Sequence, residues 1–334
     1  MKKTLCLGLT IVALAFSFIS CAGKPSIPKA GSARAEDMLT LIPKASTGVI
    51  VVNLQKAMNT TFAQKAITEN ENYKKYQEFV QATGIDPQKD VYFMAVSLAG
   101  DLTRPGANAE GSAVINMRFK KDLLEAKIKE KLGDILSADY NGFKIFQYTD
   151  PSYQNASAGA FLDDSNIVVG SESGVKATID VFQKKAENVL ANKDMMALID
   201  STNKAALVWC AFTVPQEATD KLAENPFLSS LKGIKSLVLS FDYKNKSIIA
   251  EIAASGLDEA KNKQLAETLS GFKSLASAGV AKDPKIGELL NKIEISSTAA
   301  SVRIFASIPE ELLQELSKKV NLQKALGEKK EEMY

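Results

Sequence analysis

The chain reads as an α+β protein: two similar units, each β-α-β-β-α-β-β-α, with mostly antiparallel sheets and helices packed on one face. Three observations predict this. Hydrophobic runs of period two come in adjacent pairs, the mark of hairpins. Between the pairs lie longer segments whose apolar residues recur at helical spacing. From Thr47 onward, the order of these elements runs through twice.

The first unit, residues 37–195, opens with the apolar strand Val49-Ile50-Val51-Val52-Asn53-Leu54. A helix follows from about Thr60 to Ala82, stopped by Gly84 at the left-handed position and by Pro87 beyond it. Val91 to Leu98 and Ser112 to Phe119 form a strand pair. A helix from Lys120 to Leu132 aligns Leu124, Ile128 and Leu132. Strands at Gly142 to Tyr148 and Ala158 to Val169 lead to a helix carrying Val175, Ile179 and Phe182 on one stripe.

The second unit, residues 196–325, repeats the order. Its strand is Ala205 to Phe212, and Pro215 opens a helical segment to Leu231 that breaks at Asn225-Pro226. In the hairpin, Leu237, Leu239, Phe241 and Tyr243 alternate, Lys244-Asn245-Lys246 turns, and Ile248, Ala250 and Ile252 return. A helix from Asp258 to about Ala276 groups Leu265, Leu269 and Phe272. A strand near Glu294-Ile295 then pairs with Val302, Ile304 and Ile308, and Pro309-Glu310-Glu311 starts the last helix. Residues 326–334 form a charged tail. On the strands, Ser97, Ser112, Ser236, Ser240, Ser301 and Ser307 read as an outward face, open to solvent, to the sister unit or to a partner.

Composition narrows the chemistry. The 334 residues include 41 Lys and Arg, 39 Asp and Glu, and no His, for a formal charge of +2. Without histidine, Ser-His-Asp and Cys-His catalysis are excluded, and so is a plausible zinc site. Paired carboxylates or a Ser-Lys dyad remain open. No cofactor or metal is implied. Of the three cysteines, Cys6 and Cys21 lie near the N-terminus, and Cys210 sits in the apolar strand Ala206 to Phe212 as a buried small hydrophobe.

The N-terminus carries the most specific signal. Lys2 and Lys3 precede an apolar run from Leu5 to Ile19, then Ser20, the plan of a secretory signal peptide over residues 1–20. The run is shorter than the roughly 20 apolar residues a spanning helix needs. Phe18-Ile19-Ser20-Cys21 resembles the lipobox of bacterial lipoproteins, with Phe18 where Leu is commonest. The resemblance implies cleavage between Ser20 and Cys21, acylation of Cys21, and a membrane partner held through its acyl chains. Ala22 rather than Asp after the cysteine then implies the outer membrane, with the body in the periplasm or on the cell surface. Residues 21–36, rich in Pro, Gly, Ser and Lys, read as a lipidated flexible tether. Losing Lys2 and Lys3 lowers the charge from +2 to about zero, which leaves no electrostatic case for nucleic acid. Met38-Leu39-Thr40-Leu41-Ile42-Pro43 running into Val49 to Val52, with Thr83-Gly84-Ile85-Asp86-Pro87 before a strand, loosely resembles envelope lipoprotein families of unknown function.

Candidate ligand residues are few. Tyr140, Phe143, Phe146, Tyr148 and Tyr153 frame the loop Asp150-Pro151-Ser152, though strand aromatics usually belong to the core. Arg104 lies in the long loop from Asp101 to Glu110. Asp163-Asp164-Ser165-Asn166 lacks EF-hand spacing and reads as a β-turn. In Gly170-Ser171-Glu172-Ser173-Gly174, Ser171 reads as a helix cap. The expected role is that of a lipid-anchored, non-catalytic envelope protein that binds another macromolecule or supports the envelope. The alternatives are a carrier of an apolar ligand or lipid, and a histidine-free carboxylate hydrolase of envelope polymers.

Overall fold

The computed structural model describes residues 25–68, 72–100, 110–132, 136–149, 156–280 and 283–317. The twelve strands are β1 (Gly48–Asn53), β2 (Val91–Ala99), β3 (Glu110–Met117), β4 (Leu136–Tyr140), β5 (Phe143–Thr149), β6 (Ala156–Phe161), β7 (Asn166–Gly170), β8 (Val208–Thr213), β9 (Ser236–Lys244), β10 (Ser247–Ser255), β11 (Ile293–Ser297) and β12 (Ser301–Pro309). They form one sheet in the order β11-β12-β10-β9-β8-β1-β2-β3-β7-β6-β5-β4. The expected α+β class and antiparallel pairing hold.

The two passes of sequence meet in the middle of this sheet. β1 pairs antiparallel with β8, Ile50 opposite Cys210 and Val51 opposite Trp209. Outward from β1 run β2, β3, β7 and β6, and outward from β8 run β9, β10, β12 and β11, so the wiring on the two sides matches. The first side carries one hairpin more, β4–β5. Its β4 was not anticipated: Leu-Ser-Ala-Asp-Tyr carries a weak β signal and is exposed along most of its length. The single strand expected from Ala158 to Val169 is two, β6 and β7, turned by Asp163 to Ser165, where Leu162 N–H donates to Asn166 O and Ser165 N–H to Asp163 Oδ1. Within the helix expected over Thr60 to Ala82, Thr61–Thr68 and Asn72–Thr83 are helical, and a short helix not expected, Leu54–Met58, precedes them. A helix at Pro284–Asn291, capped by Asp283, was also missed.

Strand alternation assigns every side chain to one of two faces. On the first, Val49, Val51, Ala95, Val114, Val168 and Trp209 are buried, in one cluster with residues of Ala35–Leu41, Glu172–Phe182 and Lys193–Asp200. Ser97, Ser112, Ser236 and Ser240 lie on this same face and are buried, not outward as their polarity suggested. Small side chains let the covering segments approach closely, and the hydroxyls find partners: Ser97 Oγ pairs with Ser46 Oγ at 2.8 Å and Ser112 Oγ with Thr178 Oγ1 at 2.8 Å. On the opposite face, helix Glu259–Gly279 packs Leu265 and Ala266 over Val302, Leu237 and Ala254. Among the described residues, no helix is long and apolar enough to cross a membrane.

Two buried carboxylates tie the halves together. Lys56 Nζ donates to Asp242 Oδ1 at 3.1 Å, and Lys244 Nζ lies 2.8 Å from Oδ2. Lys65 Nζ reaches Glu310 Oε1 at 3.0 Å, while Tyr243 donates its hydroxyl to Oε2. Burial pushes the Asp242 carboxyl up, but hydrogen bonds from Lys244 and Lys56 outweigh it and hold it below the usual range. Hydrogen bonds from Tyr243 and Lys65 hold Glu310 low as well. A depressed carboxyl pKa contributes stability that is present above the unfolded value and lost as pH falls through the folded one. Stability is therefore expected to fall as pH drops below about 4. Asp242→Asn should cost about 1–2 kcal/mol at neutral pH, because the lysines are half-exposed, and should flatten that acid limb. Urea titrations from pH 7 to 3 measure both, and an unchanged acid limb in the variant would remove Asp242 from the account.

Candidate functional site

The segment expected to be a flexible tether is docked from Pro25 onward. Lys29-Ala30-Gly31-Ser32 makes a turn, with Ser32 N–H donating to Lys29 O at 3.1 Å. Gly31, at φ +83°, occupies the position where a type II turn requires glycine. Before the turn, the buried Pro28 offers its carbonyl to two asparagines of the sheet. Asn166 Nδ2 donates to Pro28 O at 2.8 Å and Asn116 Nδ2 at 3.4 Å. Both asparagines are fully buried and are bonded to each other, Asn116 Nδ2 to Asn166 Oδ1 at 3.0 Å. Asp163 accepts from Asn166 Nδ2 at 2.9 Å, completing the receptor.

A second clamp lies around the turn. Ser26 N–H donates to Asp37 Oδ1 at 3.1 Å, and Arg34 grips the same carboxylate through Nη2 at 2.8 Å and its own N–H at 2.8 Å. Burial raises the Asp37 pKa, but the hydrogen bonds from Arg34 and Ser26 prevail and keep it below the ordinary range. Ala30, Ala33 and Ala35 pack on the main core. The strap over residues 25–34 is thus stapled by polar groups at Asn116, Asn166 and Asp37 and by apolar contact between them.

Between the strap and the end of helix Glu172–Phe182 lies a cavity of about 620 Å³. Ile27, Ala33, Val181 and Phe182 line it together with the exposed Lys29 and Lys184. Its size falls in the range of small-molecule sites. A second apolar surface lies on the other face of the sheet. There Ile50, Val52, Met94, Val96, Ile115 and Phe212 are partly exposed, while their neighbours pointing the other way are buried. Farther along, Phe241 is 46% exposed and Val169 40%. Fully burying such a side chain contributes about 1.5–3 kcal/mol, so partial exposure leaves a fraction of that per residue to be gained by an occupant.

The predicted aromatic cluster is not one site. Tyr140 and Phe143 lie on the covered face, where Tyr140 donates to Asp180 Oδ2 at 2.9 Å and Phe143 stacks edge-on with Phe182 at 5.8 Å. Phe146 and Tyr148 point to the other face, Phe146 against Phe161 at 6.1 Å. Strand alternation, which a one-dimensional cluster of aromatics ignores, separates them. Tyr148 is 36% exposed. Tyr153, Arg104, Ser20 and Cys21 lie outside the described residues, as does the charged tail. Ser171 caps its helix as expected, its Oγ accepting from Gly174 N–H at 3.1 Å. Cys210 is half-buried on the aliphatic face, and burial pushes its thiol up to about 11, which makes it a poor nucleophile. The buried carboxylates Asp37, Asp242 and Glu310 are held ionised by their partners, the opposite of the raised pKa a general acid needs.

These features define a class: an antiparallel single-sheet α+β protein with a stapled N-terminal strap and a half-open aliphatic face. The family follows from the sequence match. The model for DUF3352, a protein family of unknown function, matches residues 52–326 of the 334, and the chain belongs to that family. No curated protein matches. Among solved structures the chain is similar to crystal form I of TP0453, with 8% identity, a TM-score of 0.45, and coverage of 86% of this chain and 98% of that one. Crystal form III gives 9%, 0.47, 82% and 95%. Crystal form IV gives 10%, 0.46, 83% and 95%.

Asn166→Leu removes the main donor to Pro28 and should destabilise the protein by about 2–3 kcal/mol. Tryptic cleavage after Lys29 should accelerate at least several-fold before global unfolding. Mass analysis of timed digests reads this directly, and unchanged cleavage at Lys29 would mean that the asparagine pair does not hold the strap.

Proposed function

We propose that this chain is a lipid-anchored, non-catalytic envelope protein, acylated on Cys21 and held at the outer membrane, with a binding or structural role. The observation that carries this reading is the continuity between Phe18-Ile19-Ser20-Cys21 and the stapled strap. Only four residue steps separate Cys21 from Pro25, a span of at most about 14 Å. An anchor so close to the Asn116–Asn166 staple holds the strap side of the body near the bilayer and does not let it range freely. Each buried methylene contributes about 0.8 kcal/mol, so two or three acyl chains make the attachment lasting. The absence of histidine and the ionised state of the buried carboxylates favour binding over catalysis.

Metabolic labelling with an alkyne-bearing palmitate, followed by intact-mass analysis of the membrane fraction, tests the anchor. The native chain should begin at Cys21 and carry label, and Cys21→Ala should be unlabelled. An unmodified cysteine, or cleavage at another bond, would defeat the reading.

The partly exposed aliphatic face supports a second reading, a carrier of an apolar ligand or lipid. Organic extraction of the purified Cys21→Ala protein should release a bound lipid detectable by mass spectrometry. An empty extract would leave the aliphatic face without a ligand role.

A further inference from the structure

We infer that the free edge of β4 is a self-association site at which a second copy of this chain adds antiparallel, joining two twelve-stranded sheets edge to edge. The inference starts from the turn that precedes β5. Asn141 and Gly142 both have positive φ, 53° and 83°, the signature of a type I′ hairpin turn. In such a hairpin the flanking pair, Tyr140 and Phe143, exchanges both backbone hydrogen bonds. Hydrogen bonding then alternates along the ladder, so Ala138 and Leu136 also face β5 with their N–H and C=O groups. The N–H and C=O of Ser137 and Asp139 point the other way. β4 ends the sheet, so among the described residues no strand receives them.

This edge is short and carries Asp139, but it lacks other devices that keep edges apart. It contains no proline, no lysine and no bulge. Leu136 to Asp139 are all exposed, Leu136 to 76%. The opposite edge is managed differently. β11 carries Glu294, lies against helix Glu259–Gly279, and has the carbonyl of Ile293 taken by Lys273 Nζ. The two ends differ in cover: β11 lies under a helix, whereas β4 carries the single charge of Asp139.

The occupant follows from the register. An antiparallel pair of β4 strands centred on Ala138 sets Ser137 opposite Asp139 of the second copy, and these are the residues whose backbone groups point outward. Every free donor and acceptor of the pair is then matched about a two-fold axis. On one face Ser137 meets the second copy's Asp139, a hydroxyl beside a carboxylate, with no like charges directly opposed. On the other face the exposed Leu136 meets Tyr140 of the second copy, and the two Ala138 side chains meet at the axis. A register shifted by one residue would direct the outward groups of Ser137 toward residues whose own groups are already used by β5. Hydrogen bonding, charge and apolar cover therefore select the same alignment.

The two Ala138 residues form a non-hydrogen-bonded pair, the closer of the two pair types, within reach of a disulfide. The test is oxidative crosslinking of Ala138→Cys in the full chain, in membranes of expressing cells, read on non-reducing gels. Ala138→Cys should form a covalent dimer at least tenfold faster than Leu275→Cys, a cysteine at another highly exposed position. Adding Ser137→Pro, which removes an outward N–H and leaves the β5 pairing intact, should cut the rate at least tenfold, with the melting temperature confirming the fold. Analytical ultracentrifugation of the detergent-solubilised wild type should show a dimer that Ser137→Pro converts to monomer. Equal crosslinking at the two cysteine positions, insensitivity to Ser137→Pro, or a wild type that stays monomeric at tens of micromolar would each overturn the inference.

Discussion

The pairing of β1 with β8 is the interaction on which the rest of the structure depends. It sets Val51 beside Trp209 and Val49 beside Ala211, all buried, at the centre of the main core. Without it each half would present a long, apolar, unpaired edge, the condition proteins avoid most consistently. With it, two similarly wired half-sheets become one continuous sheet, and no separate interface between them is needed. The ion pairs from Lys56 to Asp242 and from Lys65 to Glu310 are subordinate: they cross the junction that the strands have already made.

A continuous sheet also explains the exchange of roles between its faces. Segments from the first half cover one face near the centre, whereas helix Glu259–Gly279 covers the opposite face toward β12 and β11. The central strands are therefore buried more fully on one side, and that side is lined by Trp209, valines, alanines and serines. Close approach of the covering segments compensates for small side chains through dense packing and through the Ser46–Ser97 and Ser112–Thr178 hydrogen bonds. On the other face, Ile50, Met94, Ile115 and Phe212 are left partly exposed. An occupant that covered this face would bury further apolar area.

The strap brings the N-terminal segment into the same economy of buried polar groups. Asn116 and Asn166 lie side by side on adjacent strands, and two buried amides without further acceptors would cost several kcal/mol. The Pro28 carbonyl and the Asp163 carboxylate supply those acceptors. The strap and the sheet thus form one connected path from Ser26 to the core.

Much of this was legible in the residues themselves. Hairpin alternation, the Gly84 and Pro87 helix stop, the Ser171 cap and the doubled order of elements all rest on local periodicity and local sterics, which a sequence displays directly. The weak β4 was hidden, because a short exposed strand carries little hydrophobic pattern, whereas the turn residues Asp163 to Asn166 already marked the division of Ala158 to Val169. The turn at Lys29 to Ser32 offered a signal in Gly31, but the staple beneath it did not. Which face of a strand is buried, whether a Pro- and Gly-rich segment swings free or docks, and which residues meet Pro28 from 88 and 138 positions away are decided only when distant strands come together. Sequence determines the elements because their causes lie within a few residues. Tertiary structure determines faces, partners and burial because their causes lie across the sheet.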